Sequence, residues 1–294
     1  MQEHLATGHF NFSELDQARA IVEACAEART PAILGTSEGE RAHIGLREAV
    51  ALRDVFRQEY GIPVFLNADH TKTVQAAREA IDAGYDSMHI DLSALPYEEN
   101  IAGTREIMEY AKAYDEKRVR QHSNILKNVG MLSVEGELGY LRGESKVHQE
   151  KIEVKKEDYT DPAQAADFVR RTGVNRLAIA VGNIHGISLD EPVLDIERIR
   201  AIRVAVPAET ALVLHAGSGI PDEQIRAAIE AGIANIHINT DLRIAYVGEL
   251  KKSLAAHPDE VAMYKLDAPA IAAMKEVVKQ KLTLFGAART TRER

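Results

Sequence analysis

The chain has 294 residues without a glycine-, serine- or proline-rich linker, a length typical of a single α/β barrel, so we expect one domain over residues 1–294. Its 45 acidic residues outnumber 36 Lys and Arg, and the net charge of −9 argues against general nucleic-acid binding, which needs a basic face. The N-terminus lacks the features of a signal peptide, no apolar stretch is long enough to span a membrane, and the single Cys25 excludes an internal disulfide. We therefore expect a cytoplasmic protein without membrane contacts.

Short apolar runs that end in polar residues or glycine alternate along the chain with segments of helical period. The helical segments are 15–28, 73–84, 97–117, 162–173 and 221–232, and several begin at Pro or Asp and end at Gly. The eight apolar runs are GHFNF (8–12), AILGTS (32–37), VFLNADH (64–70), SMHIDLS (87–93), LSVEGELG (132–139), LAIAVGNIHG (177–186), ALVLHAGSG (211–219) and NIHINTD (235–241). Strand and helix alternating eight times predict an α/β fold, a single (β/α)8 (TIM) barrel.

Three histidines stand at the polar ends of such runs: His70, His185 and His215. In α/β barrels the chemistry gathers where the parallel strands end, so the three imidazoles could converge on one metal. Three histidines with an open fourth position form a catalytic zinc pattern. The alternative is that each histidine is an ordinary polar residue capping its strand.

Strand alternation sorts further polar residues onto common faces, because successive side chains of a strand point to opposite sides. Glu135 and Glu137 fall on one face of their run. Likewise Ser87, His89, Asp91 and Ser93 share a face, as do Asn235, His237 and Asn239. We expect these polar faces to line the barrel mouth.

Residues 140–161 are highly charged and have no apolar period. They predict a mobile loop outside the packed barrel, either a solvated surface loop or an active-site lid. A lysine Schiff-base mechanism is disfavoured, because the eight runs contain no lysine and Lys72 follows a strand end, where we expect it to face solvent.

In this order, NADHTKT, SMHIDLSALPYEENI, VEGELG, GNIHG, LVLHAGSG and a C-terminal helix near 268–286 resemble the class II, metal-dependent fructose-bisphosphate aldolases and their tagatose-bisphosphate relatives. The resemblance implies that His70, His185 and His215 bind a catalytic Zn²⁺. It implies that Glu137 is a carboxylate near the metal and that Asp91 orients the histidines. Asp69 would be the acid/base that exchanges a proton with the aldehyde oxygen or the C4 hydroxyl.

The resemblance also implies a phosphate and substrate site without a basic patch, and a Na⁺ or K⁺ ion near it. Glycine-rich turns can hold phosphate with backbone N–H groups. The residues that match this part of the family pattern are Asn11, Ser37, Gly186, Gly217, Ser218, Asn239 and Thr240.

Three positions depart from the family pattern. His237 stands where an Asn that touches the reacting end of the substrate is usual, and His89 replaces a usual Met. The loop stretch RGESK offers only Glu144 as the base that moves the proton at the nucleophilic carbon. His237 is either a polar spacer or an added acid/base near neutral pH.

The leading functional hypothesis is reversible cleavage of fructose 1,6-bisphosphate, a glycolytic reaction, into dihydroxyacetone phosphate and glyceraldehyde 3-phosphate. The cleavage leaves an enediolate, whose charge a zinc ion stabilises as a Lewis acid. The alternatives are an aldolase for tagatose 1,6-bisphosphate or another ketose phosphate, and a non-catalytic sugar-phosphate-binding barrel. Relatives suggest a homodimer or homotetramer.

Overall fold

The computed structural model describes residues 5–121, 131–150, 152–187 and 193–286. The described residues form the strands β1 (Thr7–Asn11), β2 (Ala32–Thr36), β3 (Val64–Thr71), β4 (Ser87–Ile90), β5 (Ser133–Leu138), β6 (Gly143–Val147), β7 (Arg176–Ile179), β8 (His185–Ile187), β9 (Ala211–Leu214) and β10 (Ile233–Ile238). Eight of them run parallel and close into a barrel in the order β1-β2-β3-β4-β5-β7-β9-β10, with β10 paired to β1. The predicted (β/α)8 barrel is confirmed, and each of the eight apolar runs overlaps one barrel strand.

Helices follow the strands and cover the barrel. They are α1 (Leu15–Glu27), α2 (Glu38–Ile44), α3 (Leu46–Tyr60), α4 (Val74–Ala83), α5 (Tyr97–Gln121), α6 (Pro162–Thr172), α7 (Ile196–Ala205), α8 (Asp222–Ala231), α9 (Thr240–Ala256), α10 (Met263–Leu266) and α11 (Ala268–Leu284). Helix α6 begins where Asp161 accepts the N–H groups of Ala163 and Gln164, and it ends at Gly173 with φ 75°. Helix α11 packs against α1 and α9. No helix within the described ranges is both long and apolar enough to cross a membrane.

The outward face of the barrel is apolar. Leu34, Leu66, Met88 and Val134 are fully buried and belong to the hydrophobic core that includes residues of the surrounding helices. Burial of these side chains is the main stabilising contribution that the alternating strand pattern provides.

The inward face of the barrel is polar, and its side chains reach strands that are not neighbours in the sheet. Nδ2 of Asn67 on β3 lies 3.1 Å from Nε2 of His9 on β1. Arg176 on β7 and Ser87 on β4 donate to Oδ1 of Asn67 at 3.0 and 2.7 Å. Contacts between β1, β3 and β7 must run through the barrel interior. The polar faces that were predicted to line the mouth therefore continue down into the barrel.

A second sheet of two strands lies outside the barrel, where β6 pairs in parallel with β8. Within 140–161 the chain also forms a short 3₁₀ helix, Lys156–Asp158, and Arg142 Nε donates to Asp158 at 2.6 Å. The prediction of a mobile loop outside the packed barrel did not include strand β6. Strand β8, the partner of β6, lies about 40 residues further along the chain, and a pattern within 140–161 cannot reveal such pairing.

Gly35 has no side chain, and the ring of His9 occupies the space next to it inside the barrel. A substitution of Gly35 therefore tests how the polar interior is packed. A Cβ on Gly35 would lie 2.0 Å from Cε1 of His9, whose ring stacks on His237 with centroids 3.6 Å apart and cannot give way. We expect Gly35→Ala to lower the free energy of unfolding by about 1–3 kcal/mol, measured by urea denaturation.

The matched control is Gly39→Ala, because a Cβ there meets nothing within 4 Å and the residue lies in helix α2. This change should leave the stability unchanged or raise it by up to about 1 kcal/mol. Equal effects of the two substitutions would contradict the packing of His9 against Gly35.

Candidate active site

A β-bulge on β3 brings Asp69 and His70 to the same side. Asn67 and Ala68 pair with Ser87 and Met88 on β4, but the next pair is Thr71 with Ile90, so residues 69 and 70 face only residue 89. In a regular strand two consecutive side chains point to opposite faces. Here His70 has φ 45°, in the left-handed region, and both Asp69 and His70 line one cavity at the barrel mouth.

His70 and His215 face each other, and a carboxylate holds the outer nitrogen of each ring. Nδ1 of His70 lies 3.0 Å from Oδ2 of Asp91, and Nε2 of His215 lies 2.6 Å from Oε1 of Glu135. The inner nitrogens, His70 Nε2 and His215 Nδ1, are 3.0 Å apart. When each outer nitrogen donates its proton to a carboxylate, the two inner nitrogens present lone pairs to each other, an arrangement that a shared cation stabilises.

His185 reaches the site from β8 rather than from the end of barrel strand β7. The backbone N–H of His185 donates to the carbonyl oxygen of Arg142 at 2.8 Å. The ring centroid of His185 is 4.7 Å from that of His70 and 6.5 Å from that of His215. Burial and the neighbouring His70 lower the pKa of His185 to about 3. Burial, with His237 and His89, holds the pKa of His215 well below its usual value. Neutral imidazoles are the form that binds metals.

These contacts fit a divalent cation. Two of the predicted ligands, His70 and His215, have their outer nitrogens held by carboxylates, as in protein zinc sites. The largest set of potential ligand atoms among the described residues comprises Asp69, His70, His89 and His215, all within 4.8 Å of one another. Nδ1 of His89 accepts the backbone N–H of His70 at 3.1 Å. His185 is not in that set, but it lines the cavity together with His70, His215 and His237.

Asp69 lies beside the paired histidines. Asn11 Nδ2 donates to Oδ2 of Asp69 at 3.0 Å, while Oδ1 lies 3.2 Å from Nδ1 of His237 and 3.6 Å from Nδ1 of His89. Burial acts to raise the pKa of Asp69, but His70, His237 and His89 outweigh it and hold that pKa well below the usual value. The electrostatic surroundings favour the carboxylate form.

Glu135 connects the site to the charged barrel interior. It is fully buried, accepts from His215, and its Oε2 lies 3.4 Å from Nε of Arg176. Burial acts to raise the pKa of Glu135, but Arg176, His89 and His215 hold it well below the usual value. A buried carboxylate with a cationic partner is thus the acceptor that fixes the orientation of His215.

Glu137 and Asp91 lie behind the histidines and do not line the cavity. Oε2 of Glu137 is 3.0 Å from Nε2 of His89 and 3.9 Å from Nδ1 of His70. Asp91 accepts from Ser93 Oγ at 2.7 Å in addition to its contact with His70. Both carboxylates therefore touch the histidines that surround the site.

The cavity at the barrel mouth has a volume of about 150 Å³. Of the predicted phosphate and substrate residues, it brings together Asn11, Ser37, Gly186, Ser218, Asn239 and Thr240. Gly217 is not among the lining residues, because its N–H donates to the carbonyl oxygen of His237 at 3.0 Å. That N–H is engaged within the backbone, so the predicted role of Gly217 as an N–H donor to phosphate has no support in this geometry.

Glu144 lies on β6, and its side chain is 75% exposed and paired with Lys146 at 2.7 Å. It does not line the cavity, whereas the neighbouring Ser145 does. The structure therefore does not bring the predicted loop base to the reacting centre.

Two charged residues of the mouth escaped the sequence reasoning. Arg243, on the first turn of α9, lines the cavity. The other described residues that line the cavity include no Lys or Arg. The buried Glu40 lies behind the cavity and accepts from four donors: the backbone N–H of Ser37 at 2.7 Å, Asn11 Nδ2 at 2.8 Å, Asn239 Nδ2 at 3.3 Å and Arg243 Nη2. The only sequence signal was the S-E-G-E capping box at 37–40, in which Glu40 occupies the third helical position.

The contacts of Asn11 restrict what it can offer a substrate. Its Nδ2 donates to both Glu40 and Asp69, which fixes the orientation of the amide because both partners are acceptors. Its remaining polar atom, Oδ1, is an acceptor. Asn11 is thus suited to a substrate hydroxyl rather than to a phosphate.

Comparison with known proteins agrees with this geometry. A model of the family "Fructose-bisphosphate aldolase class-II" matches residues 1–290. The chain belongs to this family. The YdjI aldolase from Escherichia coli K12 is 31% identical in sequence, with a TM-score of 0.76 over 97% of this chain and 93% of that one. Fructose-bisphosphate aldolase (Fba) from Campylobacter jejuni, at 19% identity and a TM-score of 0.73 over 97% and 91% of the two chains, shares the fold.

The carboxylates behind the paired histidines should control metal affinity in this aldolase. We expect Asp91→Asn and Glu135→Gln each to weaken Zn²⁺ binding by about 10–100-fold, because each replaces the anionic acceptor that fixes a histidine tautomer with a neutral amide. Competition with a chromophoric chelator measures the affinity.

The control is Glu40→Gln, which removes a buried carboxylate of the same mouth that contacts none of the three predicted ligand histidines among the described residues. It should change the affinity by less than about threefold, since it leaves the hydrogen bonds of those histidines intact. A loss equal to that of the other two variants would mean that general negative charge, rather than the hydrogen bonds, sets the affinity.

Proposed function

We propose that this class II aldolase is zinc-dependent and cleaves fructose 1,6-bisphosphate reversibly to dihydroxyacetone phosphate and glyceraldehyde 3-phosphate. The observation that carries the proposal is the position of Asp69, an acid/base residue adjacent in sequence to His70, whose inner nitrogen faces that of His215 at 3.0 Å in the same cavity. A non-catalytic binding barrel would have no use for a carboxylate in that position.

His70, His185 and His215 would hold the ion, with Asp91 and Glu135 orienting the first and third of them. When bound, a divalent ion supplies Lewis-acid stabilisation of the negative charge that C–C cleavage leaves beside a carbonyl. Asp69 accepts the proton of the C4 hydroxyl during cleavage and returns it to the aldehyde oxygen during condensation. Asn11 holds Asp69 by donating to Oδ2, which leaves Oδ1 nearest to His237.

The phosphate next to the reacting carbons fits the side of the cavity formed by Gly186, Ser218 and Thr240. Thr240 begins helix α9, whose N-terminal N–H groups and dipole favour an anion. Arg243 follows one turn later and adds a positive charge, although it also pairs with Glu40. The phosphate site therefore rests on backbone N–H groups with one arginine.

A second candidate is an aldolase for tagatose 1,6-bisphosphate or another ketose phosphate. His237 favours it, because this imidazole stands where an asparagine is usual in the family. The ring lies 3.2 Å from Asp69, is stacked on His9 and is in the cavity wall. A residue change so close to the proton-transfer group would alter which hydroxyl configuration is accepted.

Metal removal tests the mechanism. We expect dialysis against a chelator to abolish cleavage and Zn²⁺ to restore it. Borohydride should not trap substrate on the protein, because no lysine lines the described cavity, and Lys72 is exposed with its backbone N–H bound to Glu38. Full turnover in excess chelator would overturn the metal mechanism.

A side-by-side assay of cleavage of fructose 1,6-bisphosphate and tagatose 1,6-bisphosphate distinguishes the two candidate substrates. Both assays use one sample of the zinc-loaded protein, whose metal content is measured. A kcat/KM for fructose 1,6-bisphosphate at least about tenfold above that for tagatose supports the first candidate, a discrimination of about 1.4 kcal/mol. The reverse ratio supports the second.

Asp69→Ala separates proton transfer from metal binding. We expect kcat to fall by about two to four orders of magnitude, the usual contribution of general acid–base catalysis, while bound zinc is retained because the histidines are untouched. Metal analysis of the same sample is the control. Loss of zinc together with activity would make Asp69 a structural neighbour of the metal instead of the proton-transfer group.

A further inference from the structure

We propose that His89 is a positioning residue that holds the β-bulge at Asp69–His70 in the conformation that metal binding and proton transfer need. The inference extends the metal-dependent function proposed above. His89 is the single residue of β4 that faces the two residues of the bulge. Its side chain contacts the bulge directly, and no part of the family pattern assigns it this role.

The first step concerns the backbone of the bulge. A bulge removes residues from the regular ladder of hydrogen bonds, and a buried N–H without an acceptor is costly. His70 also has φ 45°, which costs a non-glycine residue about 1–2 kcal/mol. The N–H of His70 donates to Nδ1 of His89 at 3.1 Å. The imidazole thus takes the place of the missing ladder partner.

The second step concerns the rigidity of the acceptor. His89 is fully buried, and its Nε2 lies 3.0 Å from Oε2 of Glu137 on β5. The carbonyl oxygen of Glu137 in turn accepts from Asn100 Nδ2 at 2.9 Å. The ring is therefore packed between β3 and β5.

The third step concerns the tautomer. A donor directed at Nδ1 requires this nitrogen to carry the lone pair, which leaves the proton on Nε2, on the side of Glu137. Nδ1 of His89 is then committed to the His70 N–H, while Nε2 lies 3.0 Å from Oε2 of Glu137. His89 lies in the cluster of potential ligands but supports the ligand His70 instead of binding the ion itself. The methionine that is usual at this position in the family offers only a weak acceptor sulfur.

Three substitutions separate the two nitrogens. In His89→Asn the side-chain oxygen can take the position of Nδ1 and still accept the His70 N–H. In His89→Gln a polar group reaches the position of Nε2 near Glu137, but nothing replaces Nδ1. His89→Leu replaces neither nitrogen, and Met88→Leu on the outward face of the same strand is the matched control.

The readout is the binding of Co²⁺ to the metal-free protein, followed by its visible absorption spectrum. We expect His89→Asn and Met88→Leu to stay within about threefold of the wild-type affinity, and His89→Gln and His89→Leu to bind about 10–100-fold more weakly with an altered spectrum. Wild-type affinity and spectrum in His89→Leu would overturn the proposal, as would a loss in His89→Asn as large as that in His89→Leu.

A measurement on the unmodified protein does not depend on the folding of any variant. In the zinc-loaded, ¹⁵N-labelled wild type, we expect slow exchange of the His70 amide hydrogen and a ¹⁵N shift of His89 Nδ1 typical of an unprotonated nitrogen. A protonated Nδ1 or a rapidly exchanging amide would overturn the proposal. Neither readout uses a sugar substrate, so failure of the aldol assays would reject the proposed function while leaving this inference intact, and the reverse also holds.

Discussion

The alternation of side chains along a strand, and its interruption at one point, determine the composition of the active site. Alternation places His9, Asn67, Glu135 and His237 inside the barrel and sends their apolar neighbours outward to the helices. Taken alone, it would also separate Asp69 from His70. The bulge on β3 cancels the alternation for one residue, and a proton-transfer group and a metal ligand thereby come from adjacent positions.

The polar barrel interior imposes a constraint of its own. Glu135 and Arg176 are charged groups in a core where most barrels carry branched apolar residues. Loss of one partner of a buried pair typically costs about 3–5 kcal/mol, so these side chains depend on each other and on His215. Arg176 thus keeps Glu135 in the position in which it accepts from the outer nitrogen of His215 inside the barrel. Asp91 accepts from the outer nitrogen of His70 at the barrel mouth.

Much of this arrangement could be predicted from the sequence, because it follows from period and order. The eight apolar runs predicted the barrel. The polar ends of three of them predicted metal ligands, of which His70 and His215 lie in contact and His185 lines the same cavity. The bulge could not be predicted, since it depends on how β3 and β4 pair and not on the composition of either. The role of Glu40 was missed for a similar reason: its four donors come from β1, the N-terminus of α2, the residue after β10 and helix α9. The sequence also does not reveal that the N–H of Gly217 donates to the carbonyl oxygen of His237, because this hydrogen bond depends on the position of β10.

His185 differs from the other two predicted ligands in the element that carries it. His70 and His215 belong to barrel strands or directly follow them, whereas His185 belongs to the small β6/β8 sheet, which Arg243 contacts through the carbonyl oxygen of Ser145 at 3.1 Å. By thermodynamic linkage, any free energy needed to bring that sheet against the barrel is subtracted from the intrinsic affinity for the ion. Residues that stabilise the outer sheet but do not line the cavity, such as the pair Arg142 and Asp158, would therefore raise the apparent metal affinity without touching the metal.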